Sequence, residues 1–534
     1  MGIESILVVI GKASLTTVAA GIATYVVLRL VYNDRGVFAP PVRKDLAIAA
    51  GAIPLLGHTY TSRQNMNWRL DRSLENSKQY GPVFQLTVPN IRIVVTTDVD
   101  DLAHIMGDPY NYRKGIKPSD YKLLEDLLGH GIFNSDGAEW RSQRKIAANI
   151  FNVKNFVGLF ADAFSEEARL ICMHLDKAAS KGLIVEMQDL LLRSTLNSFV
   201  KISMGVSIGA LEVEARDVNG VYTLPDVDFM QSFDGCAAII ARRGPWWRYV
   251  EPYTESGKKM KKYAQVMNDF ASRIVQEKRA KIEAGKTLPN KDLLDLFMQN
   301  GNEDGSELST SQLRDIVMNF IIAGRDTTSQ TLSWCLWNVS TRPDVEKQMY
   351  DEIISVVGQT QDISYEHCKS MKYVTAVFNE TLRLYPNVPA ATKRVVKDDI
   401  LPGTHTKVYA GEVVSWSSYV RGRLESIWGP DASDFKPSRW IMEDGSLMKP
   451  SAAKWPAFNL GPRICLGMGL ATQEGICFLA TILRRYHLEL VNDDEPRHWG
   501  DPKGKRGRYG LSLTLSMRGG VEFKIHPRKN GFQY

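Results

Sequence analysis

Residues Phe458-Asn459-Leu460-Gly461-Pro462-Arg463-Ile464-Cys465-Leu466-Gly467 set a cysteine just ahead of a helix-like apolar run that reaches Leu483. A thiol at the mouth of a helix has its thiolate stabilised by free backbone amides and the positive end of the helix dipole, and such a sulfur can ligate iron. Gly461 and Gly467 allow a tight turn beside a flat macrocycle, Arg463 can reach a carboxylate on its edge, and Phe458 can shield the sulfur from water. A lone cysteine is usually just a small buried side chain. The flanking pattern F-x-x-G-x-R-x-C-x-G reverses that reading, because it is too specific to arise readily by chance.

The rest of the composition narrows the setting. With 44% hydrophobic and 24% charged residues over 534 positions, the chain can bury a large core and is not a disordered protein. A net charge of +6, with basic and acidic residues mixed throughout, argues against a nucleic-acid binder. The other cysteines, Cys172, Cys236, Cys335, Cys368 and Cys477, form no C-x-x-C pair, which fits a reducing compartment and plain buried thiols.

Between Lys12 and Arg29, 16 residues from Ala13 to Leu28 carry no charge, and the apolar run Ile6 to Ile10 precedes them. This predicts a single-pass transmembrane anchor over residues 1–33. An interfacial helix or a signal peptide also suits so short a core, although no small-residue cleavage site precedes Tyr32 to Arg35. Arg29, Arg35, Arg43 and Lys44 follow the segment, so the positive-inside rule leaves the remaining chain in the cytosol, with the endoplasmic reticulum as the natural host membrane.

Prolines at 40, 41 and 54 predict a stiff hinge over 34–57, ahead of one large domain over 58–534. Pro82 to Val95 alternates around a Pro-Asn turn and predicts a hairpin, whereas Ser135 to Tyr385 shows mostly helical periodicity. Val408 to Trp440, with a short extended run at VVSWSSYV and turn residues at Gly429-Pro430-Asp431, reads as a connecting meander, and Gly510 to Pro527 as a terminal hairpin turning at Arg518-Gly519-Gly520.

Three further motifs lie along the helical stretch. Trp140-Arg141-Ser142-Gln143-Arg144 puts an aromatic and a cation on one helix face. Ala323-Gly324-Arg325-Asp326-Thr327-Thr328 sits within a long apolar helix, and Glu380-Thr381-Leu382-Arg383 has the form E-x-x-R, followed by Pro437-Ser438-Arg439-Trp440. Each is weak alone: helical threonines usually bond their own backbone, and i,i+3 ion pairs decorate many surfaces. Taken in this order with the cysteine loop, they resemble the landmarks of the cytochrome P450 superfamily.

That resemblance covers nearly the whole chain. It implies a mainly α fold with small β-sheets built as a single haem domain, with haem b as cofactor and Cys465 as the axial ligand of its iron. Trp140, Arg144 and Arg463 are then expected at a haem propionate, with Phe458, Gly461 and Gly467 in the haem-binding loop. Gly324 is expected to leave room for dioxygen, Thr327 to hydrogen-bond it, and Asp326 to relay protons. Glu380, Arg383 and Arg439 are expected to form a buried network that keeps the cofactor in place. The implied reaction inserts one atom of dioxygen into a C–H bond of a lipophilic substrate. No G-x-G-x-x-G fingerprint is present, so electrons are expected from NADPH through a separate cytochrome P450 reductase, with cytochrome b5 as an accessory donor. Arg141, Lys145 and Lys454 are candidates for steering it.

AGRDTT, Gly422 to Trp440 and FNLGPRICLG resemble the fatty-acid ω-hydroxylase branch of fungi and plants. In that reading Asn387 to Ala391 and Leu515 to Met517 lie near the substrate. Ala323 stands where some animal relatives carry a glutamate that esterifies the haem, so a dissociable haem is expected. Hydroxylation of terpenoids, alkanes or foreign aromatics is the alternative on the same fold; a haem-thiolate isomerase or dehydratase would leave Thr327 idle, and a haem sensor would consume no reduced cofactor.

Trp246-Trp247 among Arg242, Arg243 and Arg248 suits either a membrane-facing loop or core packing. Lys503, Lys505, Arg506 and Arg508 read as an exposed loop, and Asn338-Val339-Ser340, a formal glycosylation sequon, is expected unmodified.

Overall fold

The computed structural model describes residues 17, 19–28, 30–31, 35–64, 66–115, 120, 122–243, 247–285, 292–301, 306–491 and 509–528. The chain is mainly helical, and its core is organised around one helix, α8 (Thr310–Ser340), whose start is closed by a capping box between Ser309 and Gln312. Apolar residues run round the whole of α8 rather than along one stripe, and nearly all its side chains are buried, as expected of a helix covered on every side. Ahead of it in the chain are α1 (Arg69–Tyr80), α2 (Val99–Gly107), α3 (Gly137–Ala148), α4 (Ala161–Ser180), α5 (Met187–Met204), α6 (Asp228–Ala241) and α7 (Glu255–Glu283). After it come α9 (Lys372–Leu384), which carries E-x-x-R, and α10 (Met468–Arg485), which follows Cys465. Helices α5, α7, α9 and α10 all pack on α8.

Two five-stranded sheets flank this bundle. The first has the order β1 (Val83–Val88), β2 (Ile91–Thr96), β10 (Val413–Trp416), β7 (Ala391–Val395), β3 (Tyr112–Arg113). The second runs β11 (Tyr486–Leu490), β14 (Glu522–Pro527), β4 (Ile184–Glu186), β6 (Val221–Thr223), β5 (Arg216–Val218). Strands β8 (Asp399–Leu401) with β9 (Thr406–Val408), and β12 (Tyr509–Leu511) with β13 (Leu515–Met517), form separate pairs. The hairpin expected at Pro82–Val95 is present as β1–β2, with Val88 opposite Ile91 and Asn90 taking the positive φ of 65° that the turn requires.

Two expectations are corrected. The extended run expected at VVSWSSYV is only half extended: Val413–Trp416 joins the first sheet, but Ser417 then caps a helical turn at Ser418–Arg421, and helical turns recur at Glu425–Trp428 and Pro437–Trp440. Residues 510–527 are not one hairpin. Gly519 and Gly520 do turn the chain, at φ 75° and 68°, but β13 pairs back on β12 whereas β14 crosses to the second sheet between β11 and β4. Alternation announces strands; it does not name their partners.

The proline-containing segment 34–57, in its described residues, lies along the first sheet. Ile48 bridges Gln85, the amide of Arg43 donates to Gln85 Oε1 at 3.0 Å, and the Arg43 guanidinium pairs with Glu412 at 3.6 Å. Among the described residues no helix is long and apolar enough to cross a membrane. The anchor expected at 1–33 therefore has no support here, and most of that stretch, like Trp246 and the 503–508 cluster, falls outside the described residues.

Candidate active site

Cys465 stands apart from the other five cysteines: they are buried and it is exposed. The loop that presents it is strongly determined. Two short turns, Pro456–Phe458 and Gly461–Arg463, are joined through Asn459 and Gly461 at φ 63° and 62°, and the Cys465 amide donates to the Phe458 carbonyl at 2.8 Å. A Cβ on Gly461 would stand 2.4 Å from the Met106 carbonyl at the end of α2, so glycine is required there by space as well as by φ. Gly467 departs from expectation. Its φ is −86°, and a Cβ there would meet nothing nearer than the Cys465 sulfur at 3.9 Å. Its contribution is its amide, which together with the charge on Arg144 pulls the thiol pKa down against the burial that raises it. Phe458 is half-buried beside Cys465, edge-on to Trp455 at 5.9 Å.

On α3, Trp140 is buried beneath the Arg463 guanidinium, 3.9 Å from its ring, and Arg144 reaches the same ring at 5.9 Å. Arg463 also pairs with Asp136, which precedes α3. Sequence reasoning missed two members of this cluster. Lys114, next to β3, and Lys393, in β7, both face Arg463 and Asp136, and burial followed by the Arg463 charge lowers them to about 7 and about 8. Three cations, Arg463, Lys114 and Lys393, therefore converge around Asp136, with Arg144 beyond them at the Trp140 ring. Such an excess of buried positive charge is unfavourable unless an anion completes it, and it suits a group with two carboxylates. No periodicity marks either lysine; only the tertiary pairing of β3 with β7 brings them together.

Helix α8 carries the Ala323–Thr328 motif. Between Phe320 and Trp334 its residues are buried except Ala323 and Thr327, one turn apart and half-exposed, so these two form its accessible face. Thr327 donates its hydroxyl to the Ala323 carbonyl at 2.7 Å. Asp326 is buried, bonded by Arg325 at 2.9 Å and by Thr514, and burial lifts its carboxyl to about 6. Gly324 does not leave open space as expected: it faces α5, where Phe199 occupies the space its side chain would need. The small residue on the accessible face is Ala323.

Behind the cysteine loop, Glu380 and Arg383 are fully buried and paired at 2.7 Å. Glu380 also accepts from Arg439 at 3.0 Å, Trp440 Nε1 at 2.9 Å and the Lys436 amide at 2.7 Å. Arg383 donates to the carbonyls of Gly422, Ala432 and Asp434. Their bonds go to one another and to the backbone of 422–440, so this group braces the segment leading to the loop rather than touching a cofactor.

Of the expected substrate-side residues, Asn387 donates to Thr331 Oγ1 at 2.8 Å, one turn beyond Thr327, and its carbonyl accepts from the Leu515 amide at 3.0 Å. Val388 is exposed, whereas Leu515 and Met517 are buried in the core. Arg141 and Lys145 are exposed and Lys454 lies over the Trp428 ring at 5.0 Å. Trp247 is stacked under Arg243 at 3.7 Å, and Asn338, in the sequon, is buried and bonded to the Trp334 carbonyl at 2.7 Å.

The family model for cytochrome P450 matches residues 50–503. The chain belongs to the cytochrome P450 family. It is similar to "Cytochrome P450 monooxygenase cyp1" of Mycosarcoma maydis, at 35% identity over 89% of this chain and 74% of the relative. It is also similar to "Cytochrome P450 704C1" of Pinus taeda, at 32% over 89% and 92%, and "Cytochrome P450 86B1" of Arabidopsis thaliana, at 34% over 83% and 78%. The protein is thus a P450 monooxygenase with haem iron as cofactor, acting with a redox partner, a substrate and dioxygen. The residues fit that cofactor: an exposed thiol in the loop before α10, an accessible face on α8, and the cations Arg463, Lys114 and Lys393 gathered about Asp136.

Proposed function

We propose that this P450 hydroxylates the terminal carbon of a long-chain fatty acid, taking electrons from NADPH through a separate reductase, at an endoplasmic reticulum membrane to which residues 1–33 tether it. The observations that support the oxygenase chemistry are the sole exposed cysteine, Cys465, and the accessible Ala323–Thr327 face of the otherwise buried α8. The substrate class is supported by the resemblance of AGRDTT, Gly422–Trp440 and FNLGPRICLG to the ω-hydroxylase branch.

Cys465 supplies the sulfur ligand, and Arg144, Arg463, Lys114 and Lys393 hold the propionates. When bound, the haem activates dioxygen for insertion into a C–H bond. Around it, the Gly467 amide stabilises the thiolate and Phe458 shields it. Asp326, with a carboxyl near the working pH, carries protons from the protein interior. Thr327, whose hydroxyl rests on the Ala323 carbonyl at the accessible face of α8, passes them on.

The test is an optical titration of the purified haem protein, after the reduced carbon monoxide complex shows the thiolate-type Soret band. A saturable low-to-high-spin shift with long-chain fatty acids, followed by ω-hydroxy product, supports the reading. A response only to alkanes or terpenoids overturns the substrate and leaves the monooxygenase.

A further inference from the structure

Helix α10 lies alongside α4, with Phe478 edge-on to Phe164 at 6.4 Å. Towards the end of α10 both helices meet the loop 358–363, which follows the helix Pro343–Val357, and a cleft of about 420 Å³ opens between them. That volume falls within the range of small-molecule sites, about 300–1,000 Å³. The cleft is lined by Arg169 from α4, by Arg484 and Arg485 from α10, and by Thr360 and Asp362 from the loop. It is remote from the cysteine loop: Arg484 and Arg485 close the 18-residue helix whose first turn follows Cys465, about 27 Å away along the axis.

Three guanidiniums thus face one carboxylate. Arg484, 8% exposed, forms the floor. It donates to the carbonyls of Gly358 and Gln361 at 3.2 and 2.8 Å, while its buried Nε meets no acceptor among the described residues. A buried donor is costly to leave unpaired, and burial lowers this guanidinium below its ordinary value. At the exposed rim, Arg169 spends its Nε on the Ser165 carbonyl at 3.2 Å, and Arg485 reaches Asp176, outside the cleft, at 3.2 Å. Among the described residues neither Arg169 nor Arg484 forms an ion pair, and Asp362 forms none either.

A carboxylate fills one guanidinium fork. Guanidiniums entering one space from two helices suit instead a tetrahedral dianion, which offers acceptors in several directions. The space exceeds what a bare oxyanion occupies, and Asp362, exposed in the lining, can accept a hydrogen bond from a ligand hydroxyl but repels a second charge there. The complementary molecule is a phosphate ester with hydroxyl groups on its organic part.

We propose that the cleft between α4, α10 and loop 358–363 is a second ligand site, which takes the phosphate of a polyol monoester on Arg169, Arg484 and Arg485 and a hydroxyl of the ester on Asp362. The ester comes either free in solution or as a lipid headgroup.

The test uses the haem-loaded, full-length protein and its R169Q, R484Q and D362N variants, each verified by the reduced carbon monoxide spectrum. The thermal midpoint is followed against glycerol 3-phosphate, dihexanoyl phosphatidic acid, inorganic phosphate, glycerol and acetate, at constant ionic strength. Glycerol 3-phosphate is expected to raise the midpoint saturably without a spin shift at the haem, and to bind at least about tenfold more tightly than acetate or glycerol. R169Q and R484Q should each weaken it about tenfold or more, and D362N should bring it level with inorganic phosphate. A response to the phosphatidic acid alone, lost in R169Q, supports the site with a lipid headgroup as its source. Where R484Q fails to retain haem, R169Q, at an exposed position, decides. No saturable rise with either ester, a rise matched by acetate, or full affinity in R169Q overturns the proposal.

Discussion

Phe199 on α5 fills the space that a side chain on Gly324 would occupy: a Cβ there would lie 2.0 Å from the ring's Cγ. The glycine of the distal motif is therefore a helix-crossing contact, reinforced by Thr195, whose hydroxyl donates to the Arg325 carbonyl at 2.8 Å. G324A is expected to destabilise the protein by about 1–3 kcal/mol through overpacking. The thermal midpoint of the ferric protein should fall, and F199L should restore part of it in the double variant. Had Gly324 served only to admit dioxygen, the midpoint would be unchanged and only oxygen binding would suffer.

The Glu380–Arg383 pair leads to a different expectation. Both groups are fully buried and satisfied by Arg439, Trp440 and backbone carbonyls, so removing either strands a charge. E380A or R383A should cost about 3–5 kcal/mol and yield protein without haem, read as the haem-to-polypeptide ratio after purification. R439K should be milder, because Arg439 is 10% exposed and water can share the new ammonium. Haem-loaded, folded E380A would sink the argument.

The contrast between these motifs shows what was legible in the sequence. Cys465, Trp140, Thr327 and Glu380 lie in short local patterns that, taken in order, carry the resemblance to the family, so these residues could be singled out in the sequence. Lys114 and Lys393 lie far apart in sequence and meet only because β3 pairs with β7. The role of Gly324 was misread because a glycine's empty side looks the same in sequence whether oxygen or a phenyl ring fills it. Strand partners failed for a similar reason: β14 alternates like half of a hairpin, but its hydrogen bonds go to β11 and β4.

The lysines make a testable pair. Burial and Arg463 hold Lys114 and Lys393 at about 7 and about 8, below the ordinary lysine value. In the folded apoprotein they release protons that the unfolded chain still binds, so apoprotein stability should rise with pH from about 7 towards the ordinary lysine range. K393M removes one enclosed cation. Its apoprotein should melt higher than wild type at pH 7, and its haem should dissociate about tenfold faster, as measured by transfer to apomyoglobin. Faster loss of both haem and apoprotein stability would point instead to a packing role for Lys393.

Asp326 offers the sharpest pH test, because burial holds its carboxyl at about 6 against the ordinary carboxylate range. The folded protein therefore keeps a proton that the unfolded chain has released between about pH 4 and 6, and this group's contribution to stability falls as pH rises through that window. D326N keeps the side chain's shape, and Arg325 retains Asp234 at 3.0 Å, so the fold should survive with that slope removed. Turnover tells more. A proton carrier titrating near 6 should impose an inflection there on the pH–rate profile, and D326N should abolish the inflection and slow product formation about 100-fold, with reduced cofactor diverted to hydrogen peroxide. An unchanged profile with coupled turnover would assign Asp326 to the Arg325–Thr514 packing alone and leave proton delivery to another route.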